Sequence, residues 1–166
     1  MRDFENLFEC RVRFAKLKDL DALYHLAQEA KTGLTSLPKD KALLENKLQE
    51  SQDNHLQKIK KPAGELYLFV IEHLPSKKIV GTSNILSQIG VERPFYQYRV
   101  LEESRNTATL GKTVNHQYLV LDKSHKKSTE IGGLFLLPLF RQKGVGRLLS
   151  LSRLMYMAVY RQRFMD

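Results

Sequence analysis

EIGGLFLLPLFRQKGVGRLLSLSRLMYMAVYRQRF, residues 130–164, joins three kinds of chain in a fixed order. Residues 130–137 are apolar and strand-like, 138–144 form a basic loop with Pro138 and Gly144, and 145–164 repeat apolar residues at helical spacing. Gly144 and Gly146 let main-chain N–H groups approach a bulky anion with no Cβ in the way. The helix beginning there turns its unpaired N–H groups and its positive dipole end to the same point, which suits a phosphate or pyrophosphate. Arg141, Lys143 and Arg147 add full positive charge around it. The spacing equally fits an ordinary strand-to-helix turn whose glycines permit tight packing.

Upstream, residues 10–15 alternate as a strand, and residues 16–31 place Leu20, Leu23, Tyr24, Ala27 and Ala30 at helical intervals. Residues 32–38 (TGLTSLP) interrupt that helix, and residues 39–57 resume it through Leu43, Leu44 and Leu48. Residues 65–73 (ELYLFVIEH) are rich in β-branched and aromatic residues and predict a strand, with 79–89 as its hairpin partner across the turn at Pro75. Residues 96–101 and 117–121 read as short strands, and 102–115 as a polar stretch of weak pattern.

One domain with a real core is what 166 residues allow. The lone Cys10 has no partner for an internal disulfide, no basic-then-apolar leader opens the chain, and no apolar run reaches the ~18 residues of a membrane span, so a cytoplasmic setting is expected. The formal charge of +9 favours an anionic partner. Clusters at residues 58–61 and 123–127 read as solvated surface, and no recognised nucleic-acid fold accompanies them. His25, His55, His73, His116 and His125 show no metal spacing, and Gly111-Lys112-Thr113 lacks the glycine that a phosphate loop needs five positions earlier, where Asn106 stands.

Arg141-x-x-Gly144-x-Gly146, directly after an apolar strand and before a long helix, resembles the acyl-coenzyme A signature of the GNAT superfamily. Three stretches, residues 29–38 (EAKTGLTSLP), 65–100 with its core 92–100 (ERPFYQYRV), and 130–164, which includes that signature, resemble arginine N-succinyltransferase in the order of that family. Residues 101–127 depart from the family pattern. The resemblance implies an α+β fold, GNAT-like, with a mixed, mostly antiparallel central sheet flanked by helices. It also implies that residues 1–166 are the N-terminal portion of a longer architecture, C-terminally truncated, whose proposed catalytic histidine and next strand lie beyond Asp166. The implied reaction moves a succinyl group from succinyl-coenzyme A to the α-amino group of L-arginine, without a metal.

On that resemblance Leu134, Phe135 and Leu136 run beside the pantetheine arm, one main-chain N–H polarising the thioester, and Arg141, Lys143, Gly144, Val145, Gly146 and Arg147 hold the diphosphate. Glu130 stands where several GNAT enzymes place a general base; a surface carboxylate at a strand end has the same appearance. Arg99 with Tyr96 and Tyr98 is a candidate carboxylate clamp or a solvated arginine among sheet aromatics. Thr32, Thr35 and Ser36 are candidate substrate contacts or helix caps. The alternatives are a non-catalytic coenzyme A-binding or partner-binding module, in a homo- or hetero-oligomer, and a GNAT N-acetyltransferase acting on another amine.

Overall fold

A computed structural model describes residues 9–30, 34, 36–92, 94–107, 111–122 and 127–165. Among them run β1 (Cys10–Phe14), α1 (Leu20–Glu29), α2 (Lys41–Leu56), β2 (Leu66–His73), β3 (Lys78–Leu86), β4 (Gln97–Thr107), β5 (Lys112–Asp122), β6 (Glu130–Leu136) and α3 (Val145–Val159). Four strands form one sheet in the order β1-β2-β3-β6, every neighbour antiparallel, and β4 and β5 form a separate two-stranded sheet.

β2 explains the layering. A strand covered on both faces reads as a continuous apolar run while its side chains still alternate. Leu68 and Val70 meet Leu23, Leu26 and Ala27 of α1 and Leu44 and Leu48 of α2 on one face. Tyr67 and Phe69 meet Tyr156 and Phe164 on the other, and Ile71 packs with Val80, Leu136, Val145 and Leu149. The α3 helix therefore lies across the opposite face of the sheet from α1 and α2. Tyr156 stands at the centre of an aromatic cluster, 5.3 Å from the Tyr67 ring and 5.1 Å from Phe14, and burial pushes its phenol far above the ordinary value.

Three expectations change. The first helix begins at Leu20 rather than residue 16, because Asp19 accepts from the Lys16 N–H at 2.8 Å and pairs with Arg13 at 2.7 Å, folding Leu17–Asp19 into a 3-10 turn. The stretch 102–115 belongs to the β4–β5 hairpin, whose register runs from Gln97 opposite Asp122 to Thr107 opposite Lys112. Its two faces are largely exposed, so no alternation marks it, and polar cross-strand pairs such as Ser104 with Asn115 accompany the ladder. The last helix stops at Val159, after which Arg161–Arg163 forms a 3-10 turn and Phe164 folds into the core.

β6 carries an irregularity. Thr82 faces Phe135, yet Asn84 faces Gly132, so Gly133 and Leu134 together stand opposite Ser83. Gly133 has φ +58°, a left-handed conformation that a residue with a Cβ rarely takes. Beyond β3, the other edge of β6 meets no described strand.

Candidate functional site

Leu134, Phe135, Leu136, Arg141, Gln142, Lys143, Gly144, Gly146 and Arg147 line one cleft of about 430 Å³ where β6 meets the start of α3. Gly144 caps the helix in the left-handed region, φ +86°, and a Cβ built on it would meet nothing within 4 Å. Open space therefore stands over the helix N-terminus, where four main-chain N–H groups lack partners inside the helix. Arg141 is fixed in the wall: its Nε donates to the Leu136 carbonyl at 2.7 Å and its guanidinium sits 5.6 Å from the Phe135 ring centre. Cation, helix dipole and missing Cβ converge on this cleft, and those features fit a diphosphate.

Val145 is placed differently from the expectation. Its side chain is buried among Ile71, Val80, Leu136 and Leu149, and its N–H is donated to the Gln142 carbonyl, so it supports the loop from below. Gln142 lines the cleft instead.

A second, more polar cleft of about 330 Å³ opens at the other end of β6, lined by Ser36, Lys47, Glu50, Gly64, Leu66, Asn84, Leu86, Glu92 and Glu130. Gly132 and Gly133 lie against three of its lining residues, Asn84, Glu130 and Ser36. A Cβ on Gly132 would lie 3.1 Å from Asn84 Oδ1 and 3.3 Å from Glu130 Oε1, and one on Gly133 would lie 2.7 Å from Ser36 Oγ and 2.8 Å from Asn84 Nδ2. Lys47 donates to the Ser36 carbonyl at 3.0 Å. Although Glu50 is an exposed residue, burial of its carboxyl and the nearby Glu92 raise its pKa above the ordinary carboxylate value, against opposing pulls from Lys47, the Leu66 backbone and Asn54.

The expected site residues thus separate into groups. Glu130 and Ser36 share the polar cleft, and Thr32 and Thr35 lie outside the described residues. Arg99 pairs with Asp122 at 3.3 Å on the outer hairpin, and Tyr96 and Tyr98 are exposed; none of the three lines either cleft. Sequence reading missed Asn84, Glu50 and Glu92. The signal for Asn84 was present: Thr82-Ser83-Asn84 is a polar run inside a strand that is otherwise buried. Among the histidines, His55 stacks on Phe14 with ring centres 3.5 Å apart, and burial and then Arg163 hold its pKa below the usual value.

The family described as "Arginine N-succinyltransferase beta subunit" matches residues 10–166. The chain belongs to the arginine N-succinyltransferase family. The arginine N-succinyltransferase of Citrobacter koseri is 33% identical over 153 residues, covering 92% of this chain and 44% of the relative. That of Shigella dysenteriae serotype 1 is 34% identical over 161 residues, 93% of this chain and 45% of the relative. The solved arginine/ornithine succinyltransferase subunit AI from Pseudomonas aeruginosa superposes with a TM-score of 0.85 at 27% identity, over 95% of this chain and 48% of that one. This chain therefore spans less than half the length of these arginine N-succinyltransferase relatives, and the fold is the one its family shares. Among the described residues no helix is long and apolar enough to cross a membrane, and no group of three or more His, Cys, Asp or Glu is placed to hold a metal ion.

Proposed function

We propose that this chain is the acyl-coenzyme A-binding portion of an enzyme that transfers a succinyl group from succinyl-coenzyme A to the α-amino group of L-arginine. The observation that carries the reading is the cleft at the start of α3, where Arg141, Lys143 and Arg147 surround a helix N-terminus kept clear by Gly144 and Gly146. Coenzyme A supplies the activated thioester. The residues of the chain supply the surroundings: the loop and helix N–H groups take the diphosphate, and Leu134, at the bulge, offers a main-chain N–H to the acyl carbonyl. Removing one such donor in other enzymes costs roughly 10² to 10³ in rate. Glu130 is the candidate group for taking the proton of the attacking amine, directly or through water. The family name supports arginine and succinyl as the two partners.

Titration calorimetry with coenzyme A and succinyl-coenzyme A tests the binding half. Gly146→Glu sharpens it, since a Cβ at Gly146 would meet only Leu136 Cδ2, at 3.8 Å, and an acidic residue in the first turn suits the helix dipole. The variant should fold as the parent does and lose at least about tenfold in coenzyme affinity through repulsion of the diphosphate. Unchanged affinity in the folded variant overturns the reading. Assay of the intact gene product for succinylarginine tests the reaction half.

A partner-binding role is favoured by a separate observation. Leu148, Leu151, Met155 and Val159 form an exposed apolar stripe along α3 at helical spacing, a surface that association with another chain, or with further length of the same polypeptide, would cover.

A further inference from the structure

The cleft lined by Glu50, Glu92, Glu130 and Asn84 concentrates three carboxylates in a chain whose net charge is +9. The one cationic side chain that lines it, Lys47, donates to the Ser36 carbonyl and also acts on Glu50, leaving three carboxylates to one cation. A second, independent feature points into the same space. Asn84 is only 8% exposed, and its carboxamide makes no hydrogen bond to a described residue. Its amide packs against Gly132 and Gly133, where a Cβ would come within 3.1 Å of Oδ1 and 2.8 Å of Nδ2, so the two glycines are what let it sit there. The amide offers both a donor and an acceptor to a group entering the cleft. The crowding of Glu50 by burial and by Glu92 has the same direction: a cation between the two carboxylates relieves it.

We infer that Glu50 and Glu92 bind the cationic side-chain head, guanidinium or alkylammonium, of the acceptor amine, while Asn84 orients its polar atoms over Gly132–Gly133. The inference rests on the amine-acylation reading and adds to it the residues that set specificity. The division of labour follows from the strand. Glu130 and Leu134 are four residues apart with the bulge between them, at most about 13 Å, so an acceptor with a cation at one end of an extended alkyl chain reaches from the acidic cleft toward the bulge. Glu130 folds back toward Gly132, which leaves Glu50 and Glu92 for the distal charge.

The experiment is calorimetry on the full chain with coenzyme A present, using L-arginine and its neutral isostere L-citrulline as probes. Arginine is expected to bind more tightly than citrulline, and Glu50→Gln to weaken arginine by about tenfold or more, the worth of one hydrogen bond to a charged group, while leaving citrulline and coenzyme A as they were. Glu92→Gln should act in the same direction, and Glu103→Gln, the same change of charge on the outer hairpin, should have no effect. Equal affinity for arginine and citrulline, no binding of either, or a Glu50→Gln protein that holds arginine as tightly as the parent overturns the inference. If coenzyme A still binds in those cases, only the acidic subsite falls; if coenzyme A fails to bind while arginine is still preferred, the subsite stands and the acyltransferase reading falls.

Discussion

Arg13 and its two carboxylates show how single residues hold the first strand to the rest. Asp19 takes both ends of the guanidinium, at 2.7 and 2.9 Å, and Glu72 takes Nε at 3.2 Å and Arg11 at 2.8 Å. Burial pushes the Asp19 carboxyl up, but hydrogen bonds from Arg13 and the Lys16 N–H outweigh it, and the net pKa is lowered; Glu72 is lowered by Arg11 first and by Arg13 in addition. Carboxyls whose folded pKa is depressed contribute stability that is fully present above their unfolded values, 3.8 and 4.5 here, and lost as pH falls through the folded ones. Denaturation midpoints should therefore drop as pH falls below about 4.5, and Asp19→Asn should flatten that dependence while destabilising the protein near neutrality, because it leaves Arg13 without its closest carboxylate. At this scale the types and spacing of Arg141, Gly144 and Gly146 pointed to the loop that lines the cleft at the start of α3. The sequence did not announce Glu50 or Asn84: a glutamate on a polar helix looks like any solvated glutamate, and only the fold brings it to Glu92 and Glu130.

Helices and strands were legible wherever burial imposed a period. β2 and β3 emerge from apolar β-branched runs, and α1 and α2 from leucines three and four apart. The β4–β5 hairpin was not, since a ribbon wet on both faces has no reason to alternate, and only its ends, residues 96–101 and 117–121, carried a strand signal. The end of α3 was misjudged for a different reason. Tyr160 and Phe164 continue the apolar spacing of the helix, but Arg163 leaves the axis to donate to the carbonyls of Asn54, at 3.0 Å, and Gln57, at 2.8 Å, at the C-terminus of α2. There the unpaired carbonyls and the negative dipole end of that helix meet a cation. The guanidinium also lies 5.0 Å from the Tyr160 ring centre. Arg163→Ala should cost about 3 kcal/mol, two hydrogen bonds to a charged donor, in urea unfolding. Arg161→Ala, on the exposed side of the same turn, should stay within about 0.5 kcal/mol.

Taken whole, the molecule has one face of its sheet closed by α1 and α2 and the other by α3, whose outer side is apolar and open. Met155 is 69% and Val159 70% exposed, and Ile131 and Leu134 on β6 are exposed as well. Such a surface favours association. Light scattering of the isolated chain should give a mass above 19.3 kDa at high concentration, and Leu151→Glu with Met155→Glu should return it to that value without loss of the folded state. A chain that is monomeric at every concentration tested would count against a partner-binding role. Overall architecture was accessible from sequence because one strand, loop and helix in a fixed order limit the arrangements available; the apolar outer stripe was accessible only as composition until the fold showed which side of α3 the core had taken.

The bulge at Gly133 has a bearing on how such a sheet can change. Two main-chain groups that a regular ladder would commit to Ser83 are withheld from it, so β3 and β6 are zipped less completely than their length allows. Excision of Gly133 would bring Asn84 and Gly132, and Thr82 and Phe135, into an unbroken frame. The shortened protein should melt at a higher temperature than its parent and, on the role proposed for Leu134, be poorer at polarising a thioester.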